Sequence, residues 1–227
     1  MDASLTQLSV VVPTLNEAAG IGAALAALAP LRRRGQEVIV VDGGSDDATV
    51  DLAAPLADQV LRTAQGRALQ MNAGARAARG GALLFLHADT RLPEDADALV
   101  LRALKDHLWG RFDVRIAGTS RLLGAVACAM NLRSRLTGIA TGDQAIFVRR
   151  EAFAGFPEIA LMEDIAFSRA MKRHGPPACV ASRVVTSGRR WEAHGLLRTV
   201  LLMWRLRLLY ALGVPAERLA RLYADHR

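Results

Sequence analysis

Short apolar runs alternate with helix-like patterns through the first half of the chain. Strands are predicted for four of these runs, of which the first is expected to be buried: Leu8 to Val12, Glu37 to Val41, Gln59 to Arg62 and Ala82 to Leu86. Between these strands, apolar residues at helical spacing predict helices at residues 47–57 and 66–78 and in a segment with Ile21, Leu25 and Leu28 on one face. Asn16 is the predicted cap of that first helix. The series predicts an α/β fold with a Rossmann-like, mostly parallel central sheet and helices on both faces.

The second half of the chain is less regular. Helices are predicted at residues 122–136 and 163–174, and a strand at residues 145–148. The segment from Gly195 to Leu212 is strongly apolar but contains Arg198, Arg205 and Arg207. Each arginine costs about 2.5 kcal/mol or more at the centre of a membrane span, which argues against a spanning helix. We expect one domain at residues 1–192 and an apolar, basic helical extension at residues 193–227, packed on the domain or on a membrane.

Two accounts of this extension stay open. Its apolar bulk and its arginines suit a helix lying on an anionic bilayer surface. However, Arg198 and Arg205 share a face at about 100° per residue while Arg207 points almost opposite, so the helix is not cleanly amphipathic. A buried or dimer-forming helix explains the same pattern without a membrane.

Composition narrows the class of protein. Hydrophobic residues make up 52% of the 227 positions and aromatic residues only 5%, so the core must be built from Ala, Leu and Val. Cys128 and Cys179 lack the spacing of a zinc site or a disulfide scaffold, which fits a reducing cytoplasm. The N-terminus shows no signal-peptide pattern. We expect a cytoplasmic protein, with a place on the inner face of the membrane as the alternative.

The basic charge is concentrated near the end of the chain. The net charge is +7, and eight arginines against three acidic residues lie between Arg189 and the last residue. Such a bias suits an anionic partner or a solvated basic face. Nucleic acid is the least favoured partner, because aromatic residues are sparse and the chain has only two lysines.

Polar residues cluster where the predicted parallel strands end. They are Thr14, Asn16 and Glu17 after the first strand, Asp42 to Asp46 after the second, and His87 and Asp89 after the fourth. Ligands of open α/β sheets bind beyond the carboxyl ends of the strands, where unpaired backbone N–H groups can meet a base or a phosphate. Neither a GxGxxG fingerprint nor a GxxxxGK[ST] loop is present, which sets aside NAD-dependent chemistry and ATP hydrolysis.

Each of these groups also has an ordinary structural explanation. Asn16 and Asp89 suit helix caps, and Asp42 suits a tight turn. Glu163 and Asp164 open a helix, where capping is the default role and the dipole is expected to lower a carboxylate pKa and keep it charged. The chemical alternatives are a hard oxygen ligand for Mg²⁺ or Mn²⁺ at Asp89 and a general base at Asp164.

Taken in order, five segments resemble family 2 glycosyltransferases, a large inverting family with the GT-A fold. They are VVPTLNE, VDGGSDDAT, GRALQMNAGARAARGGALLFLHADT, MEDIAFSRAMKRHG and SGRRW, which together span Leu8 to Trp191. The variants GRALQMNAGA and GDQAIF are most similar to a small bacterial branch of transferase-2 proteins. His87 departs from the family pattern, because it replaces the first Asp of the metal-binding DxD.

The resemblance implies a role for each matching residue. Asp164 would be the base, Asp89 would bind the divalent cation, Asp42 would contact the nucleobase, and Arg190 with Trp191 would lie at the diphosphate or acceptor. The remaining positions of the nucleotide-sugar site would be Pro13, Thr14, Asn16, Glu17, Gly43, Ser45, Arg67, Asn72, His87, Ala88, Asp143 and Gln144, with Gly142 beside the last two.

The implied function is inverting transfer of a sugar from a nucleotide-diphosphate sugar to an acceptor, assisted by Mg²⁺ or Mn²⁺. A lipid-linked acceptor and a homodimer are open options. The main alternative is a non-catalytic scaffold that binds a nucleotide sugar or a membrane, which the altered DxD favours. A sugar nucleotidyltransferase is disfavoured, because the chain lacks a GxGTRxxP-like loop after its first strand.

Overall fold

The computed structural model describes residues 5–189 and 195–224. Within these ranges the strands are β1 Leu8–Thr14, β2 Glu37–Asp42, β3 Gln59–Arg62, β4 Ala82–Phe85, β5 Thr90–Arg91, β6 Trp109–Ala117, β7 Phe147–Arg149 and β8 Ala178–Ser187. The helices are α1 Ala18–Ala26, α2 Ala29–Arg33, α3 Thr49–Ala53, α4 Arg67–Ala77, α5 Ala96–Ala103, α6 Leu122–Thr137, α7 Glu163–Met171, α8 Leu196–Ala211 and α9 Ala216–Ala224. Short 3-10 turns lie at Ala54–Leu56, Gly142–Gln144 and Arg150–Ala152.

Prolines explain where two predicted helices are divided. The helix carrying Ile21 and Leu25 ends at Ala26, and Pro30 lies in the first turn of the separate helix α2. The helix predicted at residues 47–57 is shortened to α3 and a 3-10 turn that has Pro55 in its first turn. Proline is tolerated at the start of a helical segment but not in its interior, because it lacks the N–H donor.

The strands form one mixed sheet in the order β3-β2-β1-β4-β7-β6-β8-β5. Strands β3, β2, β1 and β4 pair with one another in parallel, as predicted. In the other half, β7 runs antiparallel to β4 and β6, and β5 runs antiparallel to β8, so only β6 and β8 pair in parallel. Among the described strands, four pairings are parallel and three are antiparallel, which confirms the predicted mostly parallel sheet and confines the antiparallel pairings to its second half.

Strands β6 and β8 were not predicted from the sequence. In β6 the pattern is interrupted by Arg111, which is fully buried and pairs with Asp113 two residues later. Charged residues are rarely buried without a partner, so a sequence pattern assigns Arg111 to the solvent and the strand is missed.

Apolar side chains cover both faces of the sheet. On one face Val10 and Val12 pack with Ile21 and Leu25 of α1. On the other face Val11 packs beneath α4, where a side chain at Gly74 would overlap the methyl groups of Val11. This close approach fixes α4 over the ends of β1 and β2 and brings its first turn to the edge where ligands bind.

The two C-terminal helices pack against the start of α7. Their contact is a small apolar cluster made of Met162, Ile165, Leu206 and Leu219. The guanidinium of Arg169 also lies over the ring of Tyr210, 5.3 Å from its centroid. The predicted boundary between residues 192 and 193 lies outside the described residues. Across residues 5–189 and 195–224, no helix combines the length and the apolar character that a membrane crossing needs.

Candidate active site

The loops after β1 and β2 are tied together by side chains. The N–H of Asn16 donates to the Ser45 hydroxyl at 2.8 Å, and the Asn16 side-chain oxygen accepts from the N–H of Asp46 at 3.1 Å. Asn16 has a φ of 53°, in the left-handed region that Asn tolerates better than most residues. The prediction that Asn16 caps α1 is wrong, because the cap position is Glu17 and the Asn16 side chain binds the opposite loop.

The first N–H groups of α1 are not available to a ligand. Glu17 donates its N–H to the Thr49 hydroxyl at 2.8 Å, and Ala18 donates to a carboxylate oxygen of Asp47 at 3.1 Å. The hydrogen bond from the Thr49 hydroxyl lowers the pKa of Asp47, despite a smaller opposing effect of desolvation. These two N–H groups already have partners within the protein, and the contact of this segment with a base or phosphate stays a prediction.

Asp42 is buried and closes its own turn. One of its carboxylate oxygens accepts from the N–H groups of Gly44 and Ser45 at 3.0 and 2.9 Å, and the other accepts from the Ser45 hydroxyl. These bonds are those of a tight turn, and the contact of Asp42 with a nucleobase stays a prediction. Asp42 lies opposite Thr14 in the sheet, so both residues mark the same edge.

Gln70 is a residue that sequence reasoning missed. Its side-chain amide is buried and donates to the backbone oxygens of Thr14 and Val41, at 2.7 and 2.8 Å. A side chain at Gly43 would come within 3.1 Å of this amide. Gln70 lies one turn before Gly74 on the face of α4 that meets the sheet, and this spacing could have revealed it. The residue holds the ends of β1 and β2 together.

Asn72 holds a loop and does not face the cavity described below. Its amide donates to the backbone oxygen of Phe156 at 2.9 Å and accepts from the N–H of Phe156 at 2.8 Å. Both polar ends of the side chain are therefore used in packing the Phe156 segment onto α4.

A cavity of about 530 Å³ opens beyond the end of β4. Six of the predicted site residues line it: Glu17, Arg67, His87, Asp89, Asp143 and Asp164. The others that the structure describes lie outside its wall: Pro13, Thr14, Asn16, Asp42, Gly43, Ser45, Asn72, Ala88 and Gln144. Arg190 and Trp191 lie outside the described residues. Glu17 and Arg67 connect the cavity to the edge formed by β1 and β2, since one follows β1 and the other begins α4.

Asp164 lies at the start of α7 on the cavity wall. Its two oxygens accept from the N–H of Gly142 at 3.0 Å and from its neighbour Ile165 at 2.7 Å. Burial raises the pKa of Asp164, and the negative charge of Glu163 raises it further, against smaller opposing effects of Gly142 and Arg67. The expectation that the helix start lowers this pKa is wrong, because desolvation outweighs the dipole. A raised pKa strengthens a carboxylate as a base.

Arg67 joins α4 to α7. Its guanidinium lies 3.1 Å from a carboxylate oxygen of the buried Glu163. Desolvation alone would lower the pKa of Arg67, but the charges of Glu163, Asp164 and Asp143 outweigh it and raise the pKa. The bridge holds positive charge beside Asp164.

His87 packs into the turn that carries Gly142. Its Nδ1 atom lies 3.3 Å from a carboxylate oxygen of Asp143, and its Nε2 atom is buried with no hydrogen-bond partner among the described residues. A side chain at Gly142 would overlap Nε2. Gln144 shapes the same turn, because its side-chain oxygen accepts from the N–H of Thr141 at 3.2 Å.

Asp89 offers an exposed carboxylate on the cavity wall. In the parts of the chain that the structure describes, no three His, Cys, Asp or Glu side chains are grouped closely enough to hold a metal ion by themselves. Mg²⁺ is typically bound through one or two carboxylates together with substrate phosphates and water. The donor set therefore fits an ion that arrives with a phosphorylated substrate.

Part of the cavity wall comes from helices that carry no recognised motif. Its main residues are Val126, Met130 and Arg133 of α6 and Met203, Trp204, Leu206 and Arg207 of α8. This wall could not be assigned from the sequence, because its residues are set by how α6 and α8 pack together rather than by strand ends.

Comparison with known proteins finds relatives by sequence and by fold. Residues 9–152 match the sequence profile of Glycosyl transferase family 2. The chain is 37% identical over 158 residues to the PGL/p-HBAD biosynthesis glycosyltransferase of Mycobacterium bovis, and the match covers 64% of this chain and 60% of that protein. This chain thus spans about 60% of the length of the curated relatives that it matches.

Solved structures share the fold at low sequence identity. Glucosyl-3-phosphoglycerate synthase of Mycobacterium tuberculosis, bound to Mn²⁺ and UDP, has a TM-score of 0.65 at 21% identity, covering 92% of this chain and 81% of its own. S. aureus TarS in complex with UDP-GlcNAc has a TM-score of 0.63 at 19% identity, and the match covers 80% of this chain and 58% of the TarS chain. Both likenesses show the fold, which is the GT-A fold. Because the profile match covers more than half of the sequence, this chain belongs to glycosyl transferase family 2.

Proposed function

We propose that the protein transfers a sugar from a nucleotide-diphosphate sugar to a hydroxyl group of an acceptor and inverts the anomeric configuration. The observation that carries this proposal is the single cavity that both the exposed Asp89 and the half-buried Asp164 line. Asp89 suits a divalent cation that accompanies the donor diphosphate, and Asp164, with its raised pKa, suits proton transfer from the acceptor.

In the proposed reaction Asp164 accepts the proton of the acceptor hydroxyl. The oxygen attacks the anomeric carbon as the bond to the diphosphate breaks on the opposite face, which inverts the configuration. The hydrogen bonds from Gly142 and Ile165 fix the carboxylate, so that its remaining lone pairs point in a constant direction. Arg67 supplies positive charge beside the developing negative charge.

The donor is proposed to bind along the edge from β1 and β2 to Asp89. Thr14 and Asp42 mark the nucleoside end of this edge, and Asp89 with His87 marks the diphosphate end. A divalent cation held by Asp89 would neutralise charge on the diphosphate. Support comes from related folds whose structures contain UDP-GlcNAc, or UDP with Mn²⁺.

A donor screen tests this function directly. The purified chain is melted with a panel of nucleotide sugars and Mn²⁺ or Mg²⁺, because a ligand that binds the folded state raises the melting temperature. The best donor is then tested for hydrolysis, and the released sugar is examined by NMR before it equilibrates. Selective stabilisation by one donor and an inverted product support the proposal. A chain that binds a donor but releases no sugar under any condition supports the scaffold alternative.

The acceptor is proposed to reach the site from an anionic membrane surface. Five large apolar residues of α8 and its end are more than half exposed, and at about 100° per residue they form one stripe. The stripe consists of Leu197, Leu201, Trp204, Leu208 and Leu212. Arg198 and Arg205 border it, while Arg207 points away into the cavity. An exposed apolar stripe edged by arginines suits a bilayer with anionic headgroups.

Vesicle flotation tests the membrane contact with the full chain. Wild-type protein is expected to float with vesicles that contain anionic lipid, and a Leu197→Ser and Leu201→Ser double variant is expected to remain in the soluble fraction. Neither residue lines the cavity, so donor binding serves as the folding control. If the wild type does not float and instead sediments as a dimer that the double variant abolishes, the stripe is a dimer interface and the membrane proposal fails.

A further inference from the structure

Two arginines that line the cavity form no ion pair with a carboxylate of the described residues. The Nε and Nη2 atoms of Arg133 are buried and have no hydrogen-bond partner among the described residues. Arg207 of α8 is half-buried and lines the same cavity. Within the described chain, the ion pairs formed by carboxylates include neither of these two guanidinium groups.

The arrangement is electrostatically unfavourable without a ligand. Burial and, to a smaller extent, the positive charge of Arg207 lower the pKa of Arg133 to about 10. Asp164 acts in the opposite direction but does not compensate. A buried charge normally requires an opposite charge or a full set of hydrogen bonds. Arg111, which is fully buried, has such a partner in Asp113.

The surroundings would strengthen the binding of an anion. The neighbouring cavity wall is apolar, with Val126 and Met130 on one side and Met203 and Leu206 on the other. An apolar wall lowers the local dielectric and makes a charge-assisted hydrogen bond stronger than it would be in water. Two guanidinium groups also provide several N–H donors in planar forks that match phosphate or carboxylate oxygens.

Asp164 interacts with arginines of two different elements. Its charge acts on Arg67, which begins α4 at the strand ends, and also on Arg133, which belongs to α6. Because Arg67 belongs to the proposed donor edge, the arginines of α6 and α8 are left for the acceptor.

We infer that Arg133 and Arg207 form an anion subsite that binds a phosphate or carboxylate group of the acceptor. The identification of the ligand as an acceptor rests on the proposed transferase function, but the subsite can be tested without turnover. It predicts an acceptor with two features: a hydroxyl group that reaches Asp164, and an anionic group that lies against α6 and α8.

Titration with inorganic phosphate tests the subsite. Binding is measured by calorimetry in a phosphate-free buffer for the wild type, Arg133→Gln, Arg207→Gln and the control Arg218→Gln. Arg218 is an exposed arginine of the neighbouring helix α9 and does not line the cavity. We expect a dissociation constant at least tenfold weaker in the two cavity variants and unchanged in the control. Affinities within twofold of the wild type in both cavity variants would overturn the inference.

A conservative variant guards against a folding artefact. Arg207→Lys keeps the charge but loses the planar fork, so it is expected to bind phosphate with intermediate affinity. Thermal melts of all variants without phosphate report whether the fold is intact. If Arg207→Lys, folded like the wild type, binds phosphate no better than Arg207→Gln while Arg133→Gln binds normally, the paired-arginine subsite is wrong.

Donor binding separates this inference from the proposed function. A nucleotide sugar should bind the wild type and both glutamine variants equally. If the glutamine variants bind both donor and phosphate as the wild type does, the subsite is wrong and the transferase proposal is unaffected. If the variants lose phosphate binding but the wild type binds no donor, the subsite is supported and the transferase proposal is wrong. Competition with farnesyl phosphate and glycerol phosphate then identifies the source. Stronger competition by farnesyl phosphate indicates a lipid phosphate, and equal competition indicates a small soluble anion.

Discussion

The backbone N–H of Gly142 donates to the Asp164 carboxylate at 3.0 Å, across 22 positions of sequence. This bond joins the 3-10 turn that precedes β7 to the first turn of α7. Gly142 also lies against the ring of His87, which follows β4. Three separate segments of the chain therefore meet at one point on the cavity wall, and the orientation of the proposed base depends on all of them.

Replacement of Asp164 by Asn should remove the proposed base and leave the shape of the cavity unchanged. Positioned acid–base groups typically contribute about 10²- to 10⁴-fold to rate, so kcat should fall by that order while the donor dissociation constant stays nearly constant. Steady-state turnover and donor binding are measured on the same preparation. Asn at position 164 with kcat within threefold of the wild type would show that another group takes the proton.

The same substitution should change the pH dependence of stability. The folded pKa of Asp164 is raised by burial and by Glu163, so this group favours folding below its ordinary pKa of 3.8, and that contribution is lost as pH rises through the higher folded value. The stability of Asp164→Asn relative to the wild type should therefore increase from about pH 4 towards neutrality. Urea unfolding at several pH values, with EDTA present, measures this difference.

Asp47→Asn provides a control of opposite sign for that experiment. The Thr49 hydroxyl lowers the pKa of Asp47, so its contribution to stability is present above pH 3.8 and is lost as pH falls through the lowered value. The deficit of Asp47→Asn should thus shrink in acid. If both variants showed the same trend with pH, the inferred direction for one of the two carboxylates would be wrong.

The sequence predicts the elements that depend on local pattern. Strands β1 to β4 and helix α4 follow from apolar spacing, and the polar residues at the strand ends do mark one edge of the sheet. Local sequence patterns do not predict interactions with residues that are distant along the chain. Asn16 suits a helix cap by local rules, yet Ser45 and Asp46 of the opposite loop bind it instead.

The candidate site shows the same division. Asp89 and Asp164 were identified because their neighbours resemble family motifs, but the direction of the Asp164 pKa shift depends on burial that only the packed structure provides. Arg133 and Arg207 belong to no motif. They become notable only because α6 and α8 place them in the same cavity without a carboxylate partner among the described residues.

Replacement of Gly142 by Ala should disturb both His87 and the proposed base. The added methyl group would overlap Nε2 of His87, and insertion into a packed site typically costs about 1–3 kcal/mol of folding stability. We expect Gly142→Ala to lower stability by that amount and to reduce turnover, because the turn that donates to Asp164 must shift. Chemical unfolding and kcat are the measurements.

A second substitution tests whether that effect comes from the ring. In the double variant Gly142→Ala and His87→Ala, removal of the ring makes room for the added methyl group. The coupling free energy of the double-mutant cycle should therefore be about 0.5 kcal/mol or more. Additive effects would mean that the Gly142 position is sensitive for a reason other than the contact with His87.

Replacement of Gln70 by Glu should loosen the strand ends that the proposed donor contacts. The side-chain amide donates to the oxygens of Thr14 and Val41, and a carboxylate of the same shape has no N–H to donate and repels both oxygens. Loss of a buried hydrogen-bond donor costs about 1–3 kcal/mol, so the free energy of unfolding should fall by at least that amount. The donor KM should rise more than kcat falls, because Asp164 is held by other contacts. Gln70→Met, which fills similar space without the repulsion, is the matched control and should lie between the wild type and Gln70→Glu. If Glu were tolerated as well as Met, the two hydrogen bonds of Gln70 would not be what holds β1 and β2 together at this edge.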